Sequence, residues 1–111
     1  MIKQARTYFY QAIELDPQLM PKVHNILGTS LSRQGEFQQA ATELQKYLQI
    51  KPDDPVVHNE LGVVLANMNQ VDPAIKHFSE ALRLKPDFEF ARRNLQIARS
   101  QKTDLQNSDD K

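Results

Sequence analysis

The 111-residue sequence has no cysteine, no tryptophan, only three glycines and no excess of either charge. Without cysteine there are no disulfides and no thiolate metal ligands, and the redox compartment is left open. Fourteen Lys and Arg offset fourteen Asp and Glu. That balance argues against a general polyanion binder, which needs a basic excess to displace counterions from phosphate. The scarce glycines form no loop that could cradle a phosphate. No apolar run approaches the roughly 18 residues that span a bilayer. The opening Met1-Ile2-Lys3-Gln4-Ala5-Arg6 carries charges with no apolar block behind them, so it does not read as a secretory signal. A cytoplasmic location is the default expectation.

What the sequence does have is a repeat. Shifted by 34 residues, 21–54 falls on 55–88 with identical pairs at Pro21/Pro55, Val23/Val57, His24/His58, Asn25/Asn59, Leu27/Leu61, Gly28/Gly62, Leu31/Leu65, Ala40/Ala74, Leu48/Leu82, Lys51/Lys85, Pro52/Pro86 and Asp53/Asp87. A period of this length marks stacked helix–turn–helix units, each too small to bury its apolar face alone.

Within each copy the spacing predicts two helices. In the first, helix A runs from Met20 or Pro21 to Arg33, with His24, Leu27, Gly28 and Leu31 on one stripe. Gly28 inside that stripe costs about 1 kcal/mol relative to alanine, which implies close approach of a neighbouring helix. Gly35 breaks the helix in a left-handed conformation. Helix B then spans about 37–50, with Phe37, Ala40, Ala41, Leu44, Tyr47 and Leu48 on its apolar face. Asp54 is placed to cap the next helix and Pro55 to open it.

In the second copy Asn69 takes the place of Gly35, the next most tolerant residue of positive φ. Asp72-Pro73 reads as an N-cap followed by proline at the first position of helix B. Before the repeats, Ile2, Ala5, Tyr8, Phe9, Ala12 and Ile13 predict a helix over 2–15 that resembles the second half of a unit. After them, Ala91, Leu95 and Ala98 with a polar outer side predict a solvating cap helix over 89–102. Residues 103–111, with Leu105 as their one apolar side chain, are expected to be disordered. The expected architecture is all-α: one domain over 1–102, about six helices, made of a half unit (1–17), two full units (21–54 and 55–88) and the cap.

The motifs His24-x-x-Leu27-Gly28-x-x-Leu31, Gly35-x-Phe37-x-x-Ala40, then Leu44, Tyr47 and Pro52 resemble one tetratricopeptide repeat. His58-x-x-Leu61-Gly62-x-x-Leu65, Ala74, Phe78, Ala81 and Pro86 resemble the next. The sequence departs from the family pattern in carrying histidine where it prefers tryptophan, leucine where it prefers tyrosine, and Asn69 for glycine. The resemblance implies an α-solenoid, a right-handed superhelix of antiparallel helix pairs whose inner groove is lined by the A helices. It also implies a protein-interaction scaffold that binds a peptide or helix of a partner protein.

The groove positions that follow are Lys22, Asn25, Thr29, Ser32 and Arg33 in the first copy, and Val56, Asn59, Val63, Ala66 and Asn67 in the second. Phe90, Arg93 and Ile97 continue the row on the cap helix. Asn25 and Asn59 would grip a peptide backbone, and Val56, Val63, Phe90 and Ile97 would seat an apolar side chain or a helix face. The lysine-rich clamp by which some family members hold carboxylate-rich chaperone tails is missing from the matching positions.

Other features read as structural. His24 and His58 sit one repeat apart, and with His77 they do not supply the three or four close ligands that zinc requires. Arg92, Arg93, Arg99 and Lys102 suit the exterior of a cap helix. Asp53, Asp54 and Asp72 are turn and capping residues by position. No serine or threonine has a neighbouring base, so neither an enzyme nor a cofactor, metal or nucleic-acid site is expected. Two other readings stand beside the scaffold. One is self-association as a homodimer through the N-terminal helix. The other is the repeat portion of a larger enzyme, such as a glycosyltransferase.

Overall fold

The computed structural model describes residues 17–109. The helix expected over 2–15 lies outside them. Contacts divide the chain into two compact units, Met1–Pro52 and Asp53–Lys111.

In the first unit, a single 3-10 turn over Pro17–Leu19 leads into α1 (Met20–Arg33), which pairs with α2 (Phe37–Ile50). Val23, Leu27 and Leu31 of α1 are buried together with Ala40, Ala41, Leu44 and Tyr47 of α2. The helices meet closely at Gly28. A Cβ built there would lie 2.6 Å from the Leu44 side chain, so the glycine makes room for that leucine. The turn between them closes as the sequence leads one to expect. Gly35 has φ +78°, its amide donates to the Ser32 carbonyl (3.0 Å), and the Glu36 amide reaches back to Leu31 (2.9 Å). This pair of bonds is a Schellman motif, which satisfies carbonyls that the end of the helix leaves free.

The second unit repeats the hairpin as α3 (Pro55–Asn67) and α4 (Val71–Leu84), and adds α5 (Glu89–Asp109), which packs mainly on α4. Its core gathers Val57, Leu61, Val64 and Leu65 of α3, Val71, Ala74, Phe78 and Ala81 of α4, and Ala91, Leu95 and Ala98 of α5. Gly62 makes room for Phe78 as Gly28 does for Leu44: a Cβ there would lie 2.5 Å from the ring. Asn69 holds φ +60° in the same Schellman arrangement, with Asn69 N–H to Ala66 O and Gln70 N–H to Leu65 O.

Asp54 caps α3, its carboxylate accepting from the amides of Val56 (3.1 Å) and Val57 (3.3 Å). Asp54→Ala is expected to destabilise the second unit by about 1 kcal/mol, the usual loss for an N-cap. A urea titration followed by circular dichroism checks this.

Two boundaries differ from the sequence-based expectation. Helix α4 starts at Val71 rather than Pro73, so Asp72 is not its cap; Gln70 occupies that position and makes no side-chain capping bond. Val71 is buried and lies 34 residues after Phe37, which starts α2, so both helices start at the same repeat position and core packing holds that start in the second copy. Pro73 is harmless at the third position because the first-turn amides have no intrahelical partner; the first bond closes from Ala74 to Gln70.

Helix α5 continues to Asp109, where disorder is expected from 103 onward. The added stretch contains neither glycine nor proline to break the helix, although the Thr, Asp, Asn and Ser that make up most of it are weak helix formers. An ion pair from Lys102 to Asp72 (2.8 Å) also ties α5 to the start of α4.

Candidate functional site

In the first unit, Lys22 and Arg33 are exposed, and Asn25, Thr29 and Ser32 are half-buried. The Asn25 side-chain oxygen is buried without a hydrogen-bond partner among the described residues.

The second unit brings several of the expected groove residues together. Val63, Ala66 and Asn67 of α3 face Asn94, Ile97, Ala98 and Gln101 of α5 across an open cleft of about 150 Å³, with Phe78 of α4 contributing to its lining. The size is informative. Drug-sized ligands and cofactors occupy pockets of roughly 300–1,000 Å³, whereas a cavity of about 150 Å³ accepts one benzene-sized group. The cleft suits a single apolar side chain.

Val56, Phe90 and Arg93 lie outside its walls. Val56 and Phe90 are 48% and 71% exposed, and Ile97, which does line the cleft, is 51% exposed.

The amides around this face are partly committed. Asn59 Oδ1 accepts from Asn94 Nδ2 (3.0 Å), linking α3 to α5, and Asn67 Nδ2 donates to the Val63 carbonyl (3.0 Å). The gripping role expected of Asn59 therefore competes with an internal bond. Asn94 and Gln101 were not among the expected groove positions. Asn94 directly follows Arg93, and Gln101 lies one helical turn beyond Ile97, so a wider and longer row on the same helix would have included both.

The basic patch on α5 is partly neutralised. Arg92 pairs with Glu89 (2.7 Å) and donates to the Pro86 carbonyl, and Lys102 pairs with Asp72. Among the described residues no three His, Asp or Glu side chains converge on a metal-sized site.

The tetratricopeptide repeat profile matches residues 1–59 and again 31–96, together most of the chain. The chain belongs to the tetratricopeptide repeat family. Solved structures agree on the fold of this repeat protein. A crystal structure of MamA superposes with a TM-score of 0.81 at 24% identity, covering 92% of this chain and 59% of that one. MamA AMB-1 gives 0.77 at 26% identity (88% and 53%), and MamA MSR-1 gives 0.76 at 25% identity (92% and 58%). The tetratricopeptide chain thus spans between half and three fifths of each MamA chain. No curated protein matches it. None of the described helices is long and apolar enough to cross a membrane.

Proposed function

We propose that this tetratricopeptide chain is a protein-interaction scaffold module, and that the α3–α5 cleft of its second unit seats one apolar side chain of a partner peptide. The observation that supports this reading is the cleft itself: Val63, Ala66, Ile97 and Phe78 supply an apolar seat, while Asn67, Asn94 and Gln101 bring amides that can both donate and accept. Arg93 lies one helical turn from Ile97 on the same side of α5 and is exposed, which favours an acidic residue next to the peptide's anchor.

Peptides selected from a random library on the full chain test this reading. They should share a Leu-, Met- or Phe-sized anchor, commonly with an acidic neighbour. Burying such an anchor contributes about 1.5–3 kcal/mol, so Ile97→Lys should weaken these peptides by about tenfold or more while leaving the circular dichroism spectrum unchanged. Peptides that bind the Ile97→Lys and Ala66→Lys proteins as tightly as the parent would place the site elsewhere.

A further inference from the structure

The same interhelical position in each unit holds a histidine against a different partner. His24 of α1 meets Glu43 of α2, and His58 of α3 meets His77 of α4. Both pairs are 19 residues apart, and the 34-residue shift lays one on the other. In the first unit His24 Nδ1 lies 2.6 Å from Glu43 Oε2, with both side chains 6% exposed. The partner of His24 is thus a carboxylate, an acceptor that suits a ring N–H in this contact.

In the second unit the two Nδ1 atoms are 3.1 Å apart, the ring planes differ by 25° and the ring centroids are 5.4 Å apart. That contact is a hydrogen bond only while one Nδ1 carries a proton and the other a lone pair. Protonating the accepting Nδ1 sets N–H against N–H, and with both rings charged it also sets charge against charge. The contact therefore opposes a proton on its accepting nitrogen.

We propose that the His58–His77 contact is an acid-released clasp: mild acid loosens the α3–α4 hairpin of the second unit, while the equivalent His24–Glu43 contact keeps the first unit closed.

The surroundings support this. Burial first, then His58 and Lys76, hold the His77 pKa below its ordinary 6.5, with Glu80 opposing them. Glu80 is itself engaged by Arg83 at 3.0 Å, and that hydrogen bond keeps its pKa below the usual carboxylate value, so it remains charged throughout the histidine range. Helix α5 packs against both α3 and α4, yet among the described residues none of its charged groups (Glu89, Arg92, Arg93, Arg99, Lys102 and Asp104) contributes to the His77 shift. A base whose folded-state pKa is depressed binds more protons when unfolded. Its stabilising effect is thus complete above about pH 6.5 and is lost as the pH falls through and below that value.

Hydrogen exchange on the full chain at pH 7.5 and 5.0, corrected for intrinsic rates, tests the clasp without any ligand, so it stands or falls separately from the cleft. Ordinary carboxylates titrate near pH 4, so this range isolates the histidines. Between the two pH values the amides of Ala74 and Phe78 should lose protection severalfold more than those of Ala40 and Leu44. His77→Glu, which gives the second unit the chemistry of the first, should abolish the difference, and Glu43→His should transfer the acid loss to the first unit. His77→Gln, which removes one of the two rings from the contact but keeps a polar group of similar length, should also be acid-insensitive and serves if His77→Glu fails to fold. Equal losses in both units of the parent, or an undiminished difference in His77→Gln, would overturn the proposal.

Discussion

Phe78→Ala is expected to destabilise the second unit by about 3–5 kcal/mol, the range for deleting a buried aromatic side chain. Phe78 is only 2% exposed, and among the described residues it is the largest of the fully buried side chains. Its ring fills the space that Gly62 leaves open on α3 and also lines the cleft towards α5, so the void would open between three helices at once. Collapse around it is hindered because its neighbours, Gly62 and Ala98, have little side chain to move in. Equilibrium urea unfolding followed by hydrogen exchange should show the loss concentrated in α3, α4 and α5, with the Leu44 amide in α2 changed far less. A change below about 1 kcal/mol would mean that the cavity closes, contrary to the packing described.

Gly62→Ala is expected to cost clearly more than Gly28→Ala, although the two glycines are equivalent in the repeat. Both substitutions gain about 1 kcal/mol of helix propensity, and both insert a methyl group where there is no room, which typically costs about 1–3 kcal/mol. The difference lies in what must yield. At Gly28 the new methyl meets Cδ2 and Cγ of Leu44, a flexible aliphatic side chain that can change rotamer to move aside. At Gly62 it meets three atoms of the Phe78 ring within 3.0 Å, and a planar ring moves only as a whole. Gly28→Ala should therefore fall near neutrality, and Gly62→Ala should destabilise by about 2 kcal/mol. Denaturant midpoints for the two variants, compared with the parent, decide it. Equal effects would mean that the ring shifts as easily as the leucine.

Much of this packing was legible in the sequence because backbone constraints leave marks that need no knowledge of partners. A glycine inside a helical stripe implied a close approach, and Gly28 and Gly62 both have one. Glycine and asparagine at equivalent helix ends implied positive φ, and Gly35 and Asn69 adopt it. The start of α4 was misplaced because Asp72-Pro73 is a strong local cap signal, while the core's demand for Val71 is a tertiary effect. The repeat phase already carried the better answer, since Val71 occupies the position of Phe37. The extent of α5 was missed for another reason: beyond Lys102 no apolar stripe marks the helix, and the Thr, Asp, Asn and Ser there are weak helix formers.

The candidate site was less legible. Of the expected groove positions, Val63, Ala66, Asn67 and Ile97 meet in one cleft, but periodicity could not show which amides are engaged inside the protein. The bond between Asn59 and Asn94 depends on the register of two helices far apart in sequence. The two histidine pairs left a usable signal, because the shift that aligns His24 with His58 also aligns Glu43 with His77. The meaning of that alignment emerges only once the side chains are seen to touch.

Helix α5 is longer than the helix beneath it. At about 1.5 Å per residue, its 21 residues reach about 31 Å, against about 21 Å for the 14 of α4. The Lys102–Asp72 ion pair marks where α5 passes the start of α4, and its side chains from Thr103 through Gln106 are all exposed. The stretch beyond acts as a mast about 10 Å tall. A dye or a fused domain joined at its tip would be carried clear of the hairpin, and its direction would follow the tilt of α5 rather than the whim of a loose linker.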